Sequence, residues 1–476
     1  MATQPQLRWP WAGATDRVRR RLAGALGGTS RARTIVLLGA VLALSSADLA
    51  TIGAVAAELK RSLRITNTDV GLLAAVASLV GALATIPIGM LTDRVNRTRL
   101  LAGSIALWSV AMIAAGASTS FSMLLLSRLA LGAVVGTAGP TLASLTGDFF
   151  APAERARVYG WILSGELIGS GVGLVGSGFA AAALSWRFAF WLLALPGIAL
   201  AWLTWRRLPE PQRGRYAGEQ EELAPEAQRA VRARHVEPDP ELVLREDPVR
   251  MPPGRALRYV LRIRTNVVLI AASVLGYFFF SGLRIFSVVF VRDHFGLSQA
   301  QATIVLGLTG LGALVGVLAG GRIADRLVAH GHVTGRLLVA AGGFLMAAAL
   351  LLPGILSPTL IVSLPIFMLA AAALAAPNPP LDAARLDIMH PRLWGRAESV
   401  RTLLKAIAEA SAPLLFGFVA DALGHGGSHD RHGVTLAFLI MLVPLALAGA
   451  ILLRGRRHYP RDVATAAASF QAPSAG

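Results

Sequence analysis

The stretch GMLTDRVNRTR, Gly89 to Arg99, places a short charged segment directly between two long apolar runs. A second segment of the same kind, GRIADRL from Gly321 to Leu327, follows an apolar run in the other half of the chain. In both segments an aspartate lies four residues after the glycine and an arginine comes next. Long apolar runs joined by short charged turns are typical of membrane spans. The recurrence predicts a membrane protein built from two related halves.

The composition agrees with a membrane protein. Hydrophobic residues make up 54% of the 476 residues and charged residues only 15%, whereas soluble proteins carry roughly 25% charged residues. The mean hydropathy is +0.59. The net charge of +18 comes from short arginine clusters between apolar runs rather than from a basic domain, which argues against nucleic-acid binding. The absence of cysteine excludes disulfides and thiolate metal sites.

Apolar runs of about 20 residues, the length that a membrane span needs, occur twelve times. The expected fold is an all-α membrane protein with twelve transmembrane helices arranged as two six-helix bundles. The predicted spans are 34–57, 70–92, 99–118, 122–146, 157–181, 187–206, 265–291, 299–324, 335–353, 359–383, 397–421 and 432–454. The predicted domains are a cytoplasmic basic N-terminal arm (1–33), the first bundle (34–206), a cytoplasmic linker (207–264), the second bundle (265–454) and a cytoplasmic tail (455–476).

The arginines predict the orientation of the chain. Most of them fall in the loops that share a side with both termini, and basic loops stay in the cytoplasm. We therefore expect a multi-pass protein of the plasma membrane with both termini cytoplasmic. One loop departs from this pattern, because Lys60, Arg61 and Arg64 lie on the predicted outer side.

The repeated charged segments also predict a gate. Their carboxylate and arginines can form charge-assisted hydrogen bonds with a neighbouring helix end, and such a link can hold in one conformation and break in another. For either segment alone, a plain cytoplasmic turn is an equally good interpretation, but the repetition favours a gate. The predicted gating residues from these segments are Gly89, Asp93, Arg94, Arg97, Gly321, Asp325 and Arg326.

The pattern G-x-L-x-D-R resembles the signature loop of the major facilitator superfamily. Within that superfamily, the stretch from Asp48 to Leu73 and the DRVNR motif resemble the Spinster-type lysolipid transporters, over most of the N-terminal half. The resemblance implies a transporter that works by alternating access. It also places Asp148, Arg155 and Arg157 among the gating residues.

The sequence departs from the Spinster pattern at several positions. Leu49 stands where the family has an arginine, and Val135 stands where it has a glutamate in span four. Glu166 in span five occupies a position where the family is apolar, while Lys405 and Glu409 replace a histidine and an aspartate. The resemblance therefore carries over the scaffold, but not a lysolipid substrate or the mode of coupling.

Ionisable residues inside spans cost about 2.5–3.5 kcal/mol at the membrane centre, so each needs an explanation. Asp48 in span one is the first candidate for proton coupling, with Arg128 of span four close enough in depth to pair with it. The alternative for Asp48 is a permanent structural ion pair. Glu166 is the second candidate, and for it an acid without a coupling role is an equal alternative.

Span eleven carries a charged face. Glu398, Arg401, Lys405 and Glu409 recur every three or four residues, which places them along one side of a helix. This face is expected to line the substrate cavity, where its cations attract an anionic group or are neutralised by the neighbouring glutamates. Arg284 in span seven is a further candidate for an anionic group. The cavity candidates are thus Arg128, Arg284, Arg401, Lys405 and Glu409.

No phosphate-binding motif GxxxxGK[S/T] occurs, and we predict no enzyme activity, no metal and no cofactor. The favoured function is secondary active transport of a small amphipathic or lipid-like solute, an anion being one option, coupled to protons. The alternatives are a proton-coupled exporter of drugs or secondary metabolites and a membrane sensor or scaffold that does not transport. The expected partners are the solute, protons and membrane lipids, and the protein is expected to be a monomer.

Overall fold

The computed structural model describes residues 29–92, 95–150, 152–212, 231–232, 234–245, 251–390, 393–424 and 431–471. Within these ranges the regular structure is helical. Helices suit a membrane because they satisfy their own backbone hydrogen bonds. The helices are α1 (Thr29–Leu63), α2 (Asn67–Thr92), α3 (Arg97–Gly116), α4 (Phe121–Val135), α5 (Ala138–Phe149), α6 (Pro152–Ala183), α7 (Trp186–Arg207), α8 (Pro253–Arg262), α9 (Arg264–Phe295), α10 (Gln299–Ala329), α11 (Gly335–Leu356), α12 (Leu360–Ala375), α13 (Asn378–Asp387), α14 (Trp394–Ala422), α15 (Arg431–Gly455) and α16 (Tyr459–Gln471).

The predicted fold class is confirmed. In the described part of the chain, 11 helices are long and apolar enough to cross a membrane, and the shorter apolar helix Phe121–Gly132 belongs to the remaining span. Span four consists of α4 and α5, and span ten of α12 and α13. The spans of the first half pack as one bundle and those of the second half as another.

Spans four and ten are broken at equivalent places. The turn at residues 136–137 precedes Pro140 by four residues, and the turn at residues 376–377 precedes Pro380 in the same way. A proline within a helix removes one hydrogen bond and its ring collides with the carbonyl four residues earlier. The matching breaks are a sign of internal duplication that the sequence reading did not identify.

Small residues let the helices of each bundle approach closely. A methyl group on Gly169 of α6 would lie 2.0 Å from the carbonyl oxygen of Ala43 in α1, and one on Gly316 of α10 would lie 2.0 Å from that of Ala372 in α12. Close backbone approach replaces the hydrophobic driving force that is missing between helices in lipid. Both contacts hold spans of the same bundle together.

The described ends of the chain, Thr29 and α16, lie on one side of the molecule, which we name the terminal face. The opposite side, which carries the loop between α1 and α2, is the far face. On the terminal face the predicted tail forms helix α16, which buries Val463 and hydrogen-bonds to the linker through Thr465 and Ser469. The linker itself ends in helix α8.

The repeated glycines lie within helices, where the predicted spans 70–92 and 299–324 also place them. Helix α2 continues past Gly89 to Thr92, and α10 continues through the whole stretch Gly321–Arg326 to Ala329. In the second half, the turn itself uses Gly331, which has a φ of 82°. Such a backbone conformation favours glycine. The repeated glycine is therefore part of a helix rather than the point where the chain turns.

Candidate functional site

The two bundles are joined at the far face by a carboxylate of one bundle that caps a helix of the other. Asp421, at the end of α14, accepts hydrogen bonds from the backbone and side chain of Thr68 at 2.8 and 2.5 Å. It also accepts a bond of 2.8 Å from the side-chain amide of Asn67. These donors belong to the first turn of α2, whose backbone N–H groups have no partner within the helix. A negative charge there is also favoured by the helix dipole.

A second polar contact joins α1 to α9 and α10 at the same face. Arg292 donates to Glu58 at 3.0 Å and to Gln299 at 2.9 Å, and Gln299 donates to the carbonyl of Ala54. Arg292 is 6% exposed, so this ion pair is only weakly screened by solvent. It crosses from one bundle to the other.

These contacts account for the basic loop that departed from the charge pattern. Lys60 is buried and donates to Asn67 at 2.7 Å, with Asp293 and Asp421 close enough to interact with its charge. Arg61 pairs with Glu58 at 3.5 Å. Two of the three unexpected cations therefore have acidic neighbours within the inter-bundle contact.

The far face is therefore the closed end of the molecule. Among the hydrogen bonds between described residues, each one that joins the two bundles lies at this face. The backbones of the two bundles are also in contact there. A methyl group on Gly53 of α1 would lie 2.2 Å from the carbonyl oxygen of Arg284 in α9, and one on Gly417 of α14 would lie 2.4 Å from that of Asn67. Among the described residues, none of the ion pairs of the terminal face joins one bundle to the other.

A charged cluster lies in the middle of the spans, where the bundles face each other. Lys405 and Glu409 of α14 are 3.8 Å apart, and the Lys405 ammonium lies 3.7 Å from the centre of the Tyr277 ring. Ser281, one turn further along α9, donates to the carbonyl of Glu409 at 2.8 Å. Cation–π contacts of this kind stabilise a partly desolvated ammonium.

The first bundle contributes an acid to this cluster. Glu166 of α6 is exposed and interacts electrostatically with both Lys405 and Tyr277. Asp382 of α13 interacts with the same two groups and pairs with Arg385. Asp382, Arg385 and Tyr277 were missed by the sequence reading. Asp382 and Arg385 could have been identified as charged residues of span ten, whereas a tyrosine in an apolar run gives no signal.

Asp48 and Arg128 form a separate ion pair inside the first bundle. Arg128 Nη1 lies 2.7 Å from Asp48 Oδ1, and both side chains are 1% exposed. The Nε and Nη2 atoms of Arg128 are buried without a hydrogen-bond partner. The structure thus brings these two residues together, but it places the pair within one bundle rather than in the cluster that both bundles share.

Arg284 lies on α9 with no carboxylate at ion-pair distance in the described part of the chain. Its described side-chain contact is with the Phe280 ring, 5.8 Å from the guanidinium carbon. Its Nε atom is buried and has no hydrogen-bond partner. An unpaired cation in such a place is costly.

On the terminal face, the first bundle has an arginine bonded to two acids. Arg97, at the start of α3, pairs with Asp148 at the end of α5 and lies 2.8 Å from Glu210, just beyond α7. Burial raises the pKa of Glu210, but hydrogen bonds from the Thr98 amide and from Arg97 outweigh this effect and hold it below its usual range. Glu210 was not singled out from the sequence.

The second bundle has the corresponding pair. Arg336, at the start of α11, pairs with Asp387 at the end of α13, and Tyr459 of α16 donates to Asp387 at 2.5 Å. Burial and the neighbouring Asp387 charge raise the pKa of Tyr459 well above its usual value. Asp325 lies 3.9 Å from Arg336 and remains 65% exposed.

The other predicted site residues are less closely involved. Arg326 is exposed on α10, and Arg401 is half-buried on α14. Asp93 and Arg94 lie outside the described residues. Arg155 and Arg157 belong to α6, but their side chains fall outside the part that is described. Gly321 packs against Pro379 at an ordinary distance, so the close approach is made by its neighbour Gly320.

Among the described residues, no three His, Asp or Glu side chains are placed to hold a metal ion. A small apolar void of about 30 Å³ lies within the first bundle, lined by Val41, Leu44 and Trp108 among others. It is separate from the charged cluster, and we assign it no part in substrate binding.

Comparison with known proteins identifies the fold and the family. The model of the Major Facilitator Superfamily matches residues 37–384. The 3-(3-hydroxy-phenyl)propionate transporter of Escherichia coli (strain K12) is 31% identical over 193 residues, 40% of this chain but only 47% of that protein. The probable sphingolipid transporter spinster homolog 1 of Arabidopsis thaliana is 24% identical over 394 residues, 80% of this chain and 77% of that protein.

A solved structure has the same architecture. The crystal structure of a bacterial homologue of the human lysosomal transporter Spinster, in an inward-facing and unoccupied conformation, superposes with a TM-score of 0.71. It covers 90% of this chain and 98% of that chain at 20% identity. The resemblance inferred from the sequence motifs is confirmed. This chain belongs to the Major Facilitator Superfamily and is a transporter close to the Spinster type, not an enzyme.

Proposed function

We propose that the protein is a secondary active transporter that moves a small amphipathic anion by alternating access and couples this movement to protons. The observation that carries the proposal is the central cluster, in which Lys405 and Glu409 of the second bundle lie 3.8 Å apart and Glu166 of the first bundle interacts with the charge of Lys405. Charges held between two bundles at membrane depth mark the substrate and ion pathway in transporters.

The orientation follows from the arginines. Because the terminal face carries most of them, it is assigned to the cytoplasm of a plasma-membrane protein. The far-face contacts then close the outer side, and the cavity between the bundles opens to the cytoplasm. The gating role of Arg97, Asp148 and Asp325 belongs to the opposite state, in which the cytoplasmic ends meet.

Proton binding is assigned to the central cluster rather than to Asp48. Among the described residues, the cluster holds the carboxylates Glu166, Asp382 and Glu409 against the cations Lys405 and Arg385, which leaves one negative charge in excess. A proton removes that excess when the site closes around the substrate and loses water, because an unpaired charge is costly there. Asp48 already has Arg128 as a buried partner, and its permanent pairing is the better interpretation.

The relatives support an amphipathic substrate. One is named for an aromatic propionate and another for sphingolipids, so an apolar body joined to a polar group is common to both names. A small organic acid is the second candidate, favoured by the 31% identity to the Escherichia coli transporter. Export of drugs or secondary metabolites has less support, because the helix-five stretch GELIGSGVG lacks the proline of the antiporter motif.

The test is flux in proteoliposomes with an imposed pH gradient, comparing an aryl propionate with a lysolipid. We expect concentrative uptake driven by the gradient, and we expect Glu166→Gln to abolish this driven uptake while exchange of labelled for unlabelled solute persists. Glu241→Gln is the matched control, because that glutamate is 80% exposed in the linker. Driven uptake that survives Glu166→Gln would remove the cluster from proton coupling.

A further inference from the structure

We infer that Arg284 is the group that binds the negative charge of the substrate, and that the rings of Phe280 and Tyr277 bind its apolar body. The inference rests on the proposed transport function and specifies where the solute lies. The ligand class is an amphipathic monoanion with a carboxylate or phosphate group.

Arg284 differs from the other cations in the middle of the spans. Arg128 pairs with Asp48, Lys405 with Glu409, and Arg385 with Asp382. For Arg284, the described residues provide no carboxylate at ion-pair distance and no acceptor for its Nε atom. Arg284 is half-buried and its Nε atom is enclosed, so a partner is needed to offset the hydration that the guanidinium has lost. An anionic solute provides one.

Arg284 lies near the closed end of the proposed cavity between the two bundles. Its backbone carbonyl meets Gly53, where α1 and α9 pack most closely. The ion pair of Arg292 with Glu58 lies two turns further along α9, at the far face, so we expect an anion to reach the guanidinium from the terminal face in this state. An anion that enters along the cavity passes the Lys405 cluster before it arrives at Arg284.

Arg284 shares one face of α9 with groups that suit an apolar body. Tyr277, Phe280 and Arg284 follow one another at intervals of three and four residues, the spacing of a helix face. The opposite face packs into its own bundle, because Phe279 is 1% exposed and a methyl group on Gly282 would meet the Phe416 ring. The face with Arg284 is packed less tightly: Tyr277 on it contacts the Lys405 ammonium of the central cluster, and Phe280 on it is exposed.

The guanidinium of Arg284 is well matched to an anionic group. Its planar donors bind both oxygens of a carboxylate or phosphate, which an ammonium cannot do in the same way. Binding of the anion neutralises Arg284 but leaves the excess negative charge of the cluster, so proton uptake there completes the charge balance. Anion and proton then move together.

The experiment uses the full chain in proteoliposomes and in detergent, with 3-phenylpropionate, its neutral amide and lysophosphatidate as probes. We expect the protein to bind at least one of the two acids in preference to the amide. Arg284→Gln should weaken that binding about tenfold to a hundredfold, the change that corresponds to loss of charge-assisted hydrogen bonds. Arg284→Lys should restore part of it, and Arg255→Gln, an exposed arginine of α8, should leave it unchanged.

The two probes separate the two sources of the anionic group. Preference for 3-phenylpropionate assigns a carboxylate substrate, and preference for lysophosphatidate assigns a lipid phosphate. Equal binding of the amide and the acid, or acid binding that Arg284→Gln leaves intact, would overturn the inference. If gradient-driven flux persists in Arg284→Gln, Arg284 is not the anion-binding group, although the protein is still a transporter. If binding depends on Arg284 but the wild type shows no driven flux, the anion-binding role stands and the proposed transport function fails.

Discussion

Each bundle holds an arginine at the start of its third span and an aspartate 51 residues later at the end of its fourth. In each, a third group from the segment after the last span joins the pair. In the first bundle this group is the carboxylate of Glu210, and in the second it is the phenol of Tyr459. The same position in the duplicated unit thus holds a charged partner in one half and a neutral partner in the other.

The exposure of the two sites explains the difference. The side chains of Asp148 and Glu210 are 15% and 25% exposed, so water stabilises the second negative charge. Asp387 is 1% exposed and Tyr459 is fully buried. A second buried carboxylate against one arginine would be left uncompensated. The second pair is therefore enclosed within the protein, whereas the first retains contact with solvent.

The largest effect should come from Asp387→Asn. The change leaves Arg336 buried without its close partner, and breaking such a pair costs about 3–5 kcal/mol. We expect a much lower thermal midpoint of the purified protein in detergent. Adding Arg336→Gln should recover part of the loss, because the uncompensated charge is then removed. A thermal midpoint equal to that of the wild type would show that the Arg336–Asp387 pair does not stabilise the fold.

Asp148→Asn should have a smaller effect. Arg97 keeps Glu210, the hydroxyl of Ser144 and the carbonyl of Pro211 as acceptors, so we expect a loss on the order of 1 kcal/mol. The same thermal measurement, made beside Asp387→Asn, gives the ratio of the two effects. Equal losses in the two halves would contradict the proposed asymmetry.

The smallest effects should appear as opposite pH dependences. The lowered pKa of Glu210 means that its contribution is present above the unfolded value of about 4.3 and is lost as the pH falls through the folded value. The raised pKa of Tyr459 means that its contribution is present below about 10 and is lost as the pH rises through the folded value.

Thermal unfolding between about pH 2.5 and about pH 11 tests both signs, because this range extends below the unfolded pKa of the carboxyl and above that of the phenol. Glu210→Gln should lose less stability on acidification than the wild type, because it has no carboxyl to protonate. Tyr459→Phe should lose less on alkalinisation, because it has no phenol to ionise. If Glu210→Gln loses as much stability as the wild type at acidic pH, Glu210 does not stabilise the first pair. Likewise, an equal loss for Tyr459→Phe at alkaline pH would show that Tyr459 does not stabilise the second.

The twelve spans were predictable because hydropathy is a local property of the sequence. The duplication was predictable from the charged segments at Asp93 and Asp325, although the structure displays it more clearly elsewhere. Neither Arg336 nor Asp387 was predicted as a site residue from the sequence. Their spacing, equal to that of Arg97 and Asp148, is the signal that could have identified both.

Contacts between distant segments were the hardest to predict. The pairing of Asp48 with Arg128 followed from similar depth in neighbouring spans, but depth does not tell which bundle a side chain faces. Asp421 caps a helix whose sequence lies more than 350 residues earlier, and no local pattern reveals such a partner. Helix α16 was read as a plain tail because its alanines form no long apolar run, yet they suffice to pack on a protein surface.

The carboxylate of Asp421 has a consequence for the energy difference between the two states. When the bundles part at the far face, the first turn of α2 loses this acceptor, and water takes its place on the same N–H groups. The exchange of a protein acceptor for water changes the free energy by only about 0.5–1.5 kcal/mol per hydrogen bond. A closure made of replaceable bonds keeps both states populated, since a modest energy difference leaves the minor state accessible to a ligand. An apolar contact over the same area would have held the protein in one of its two states.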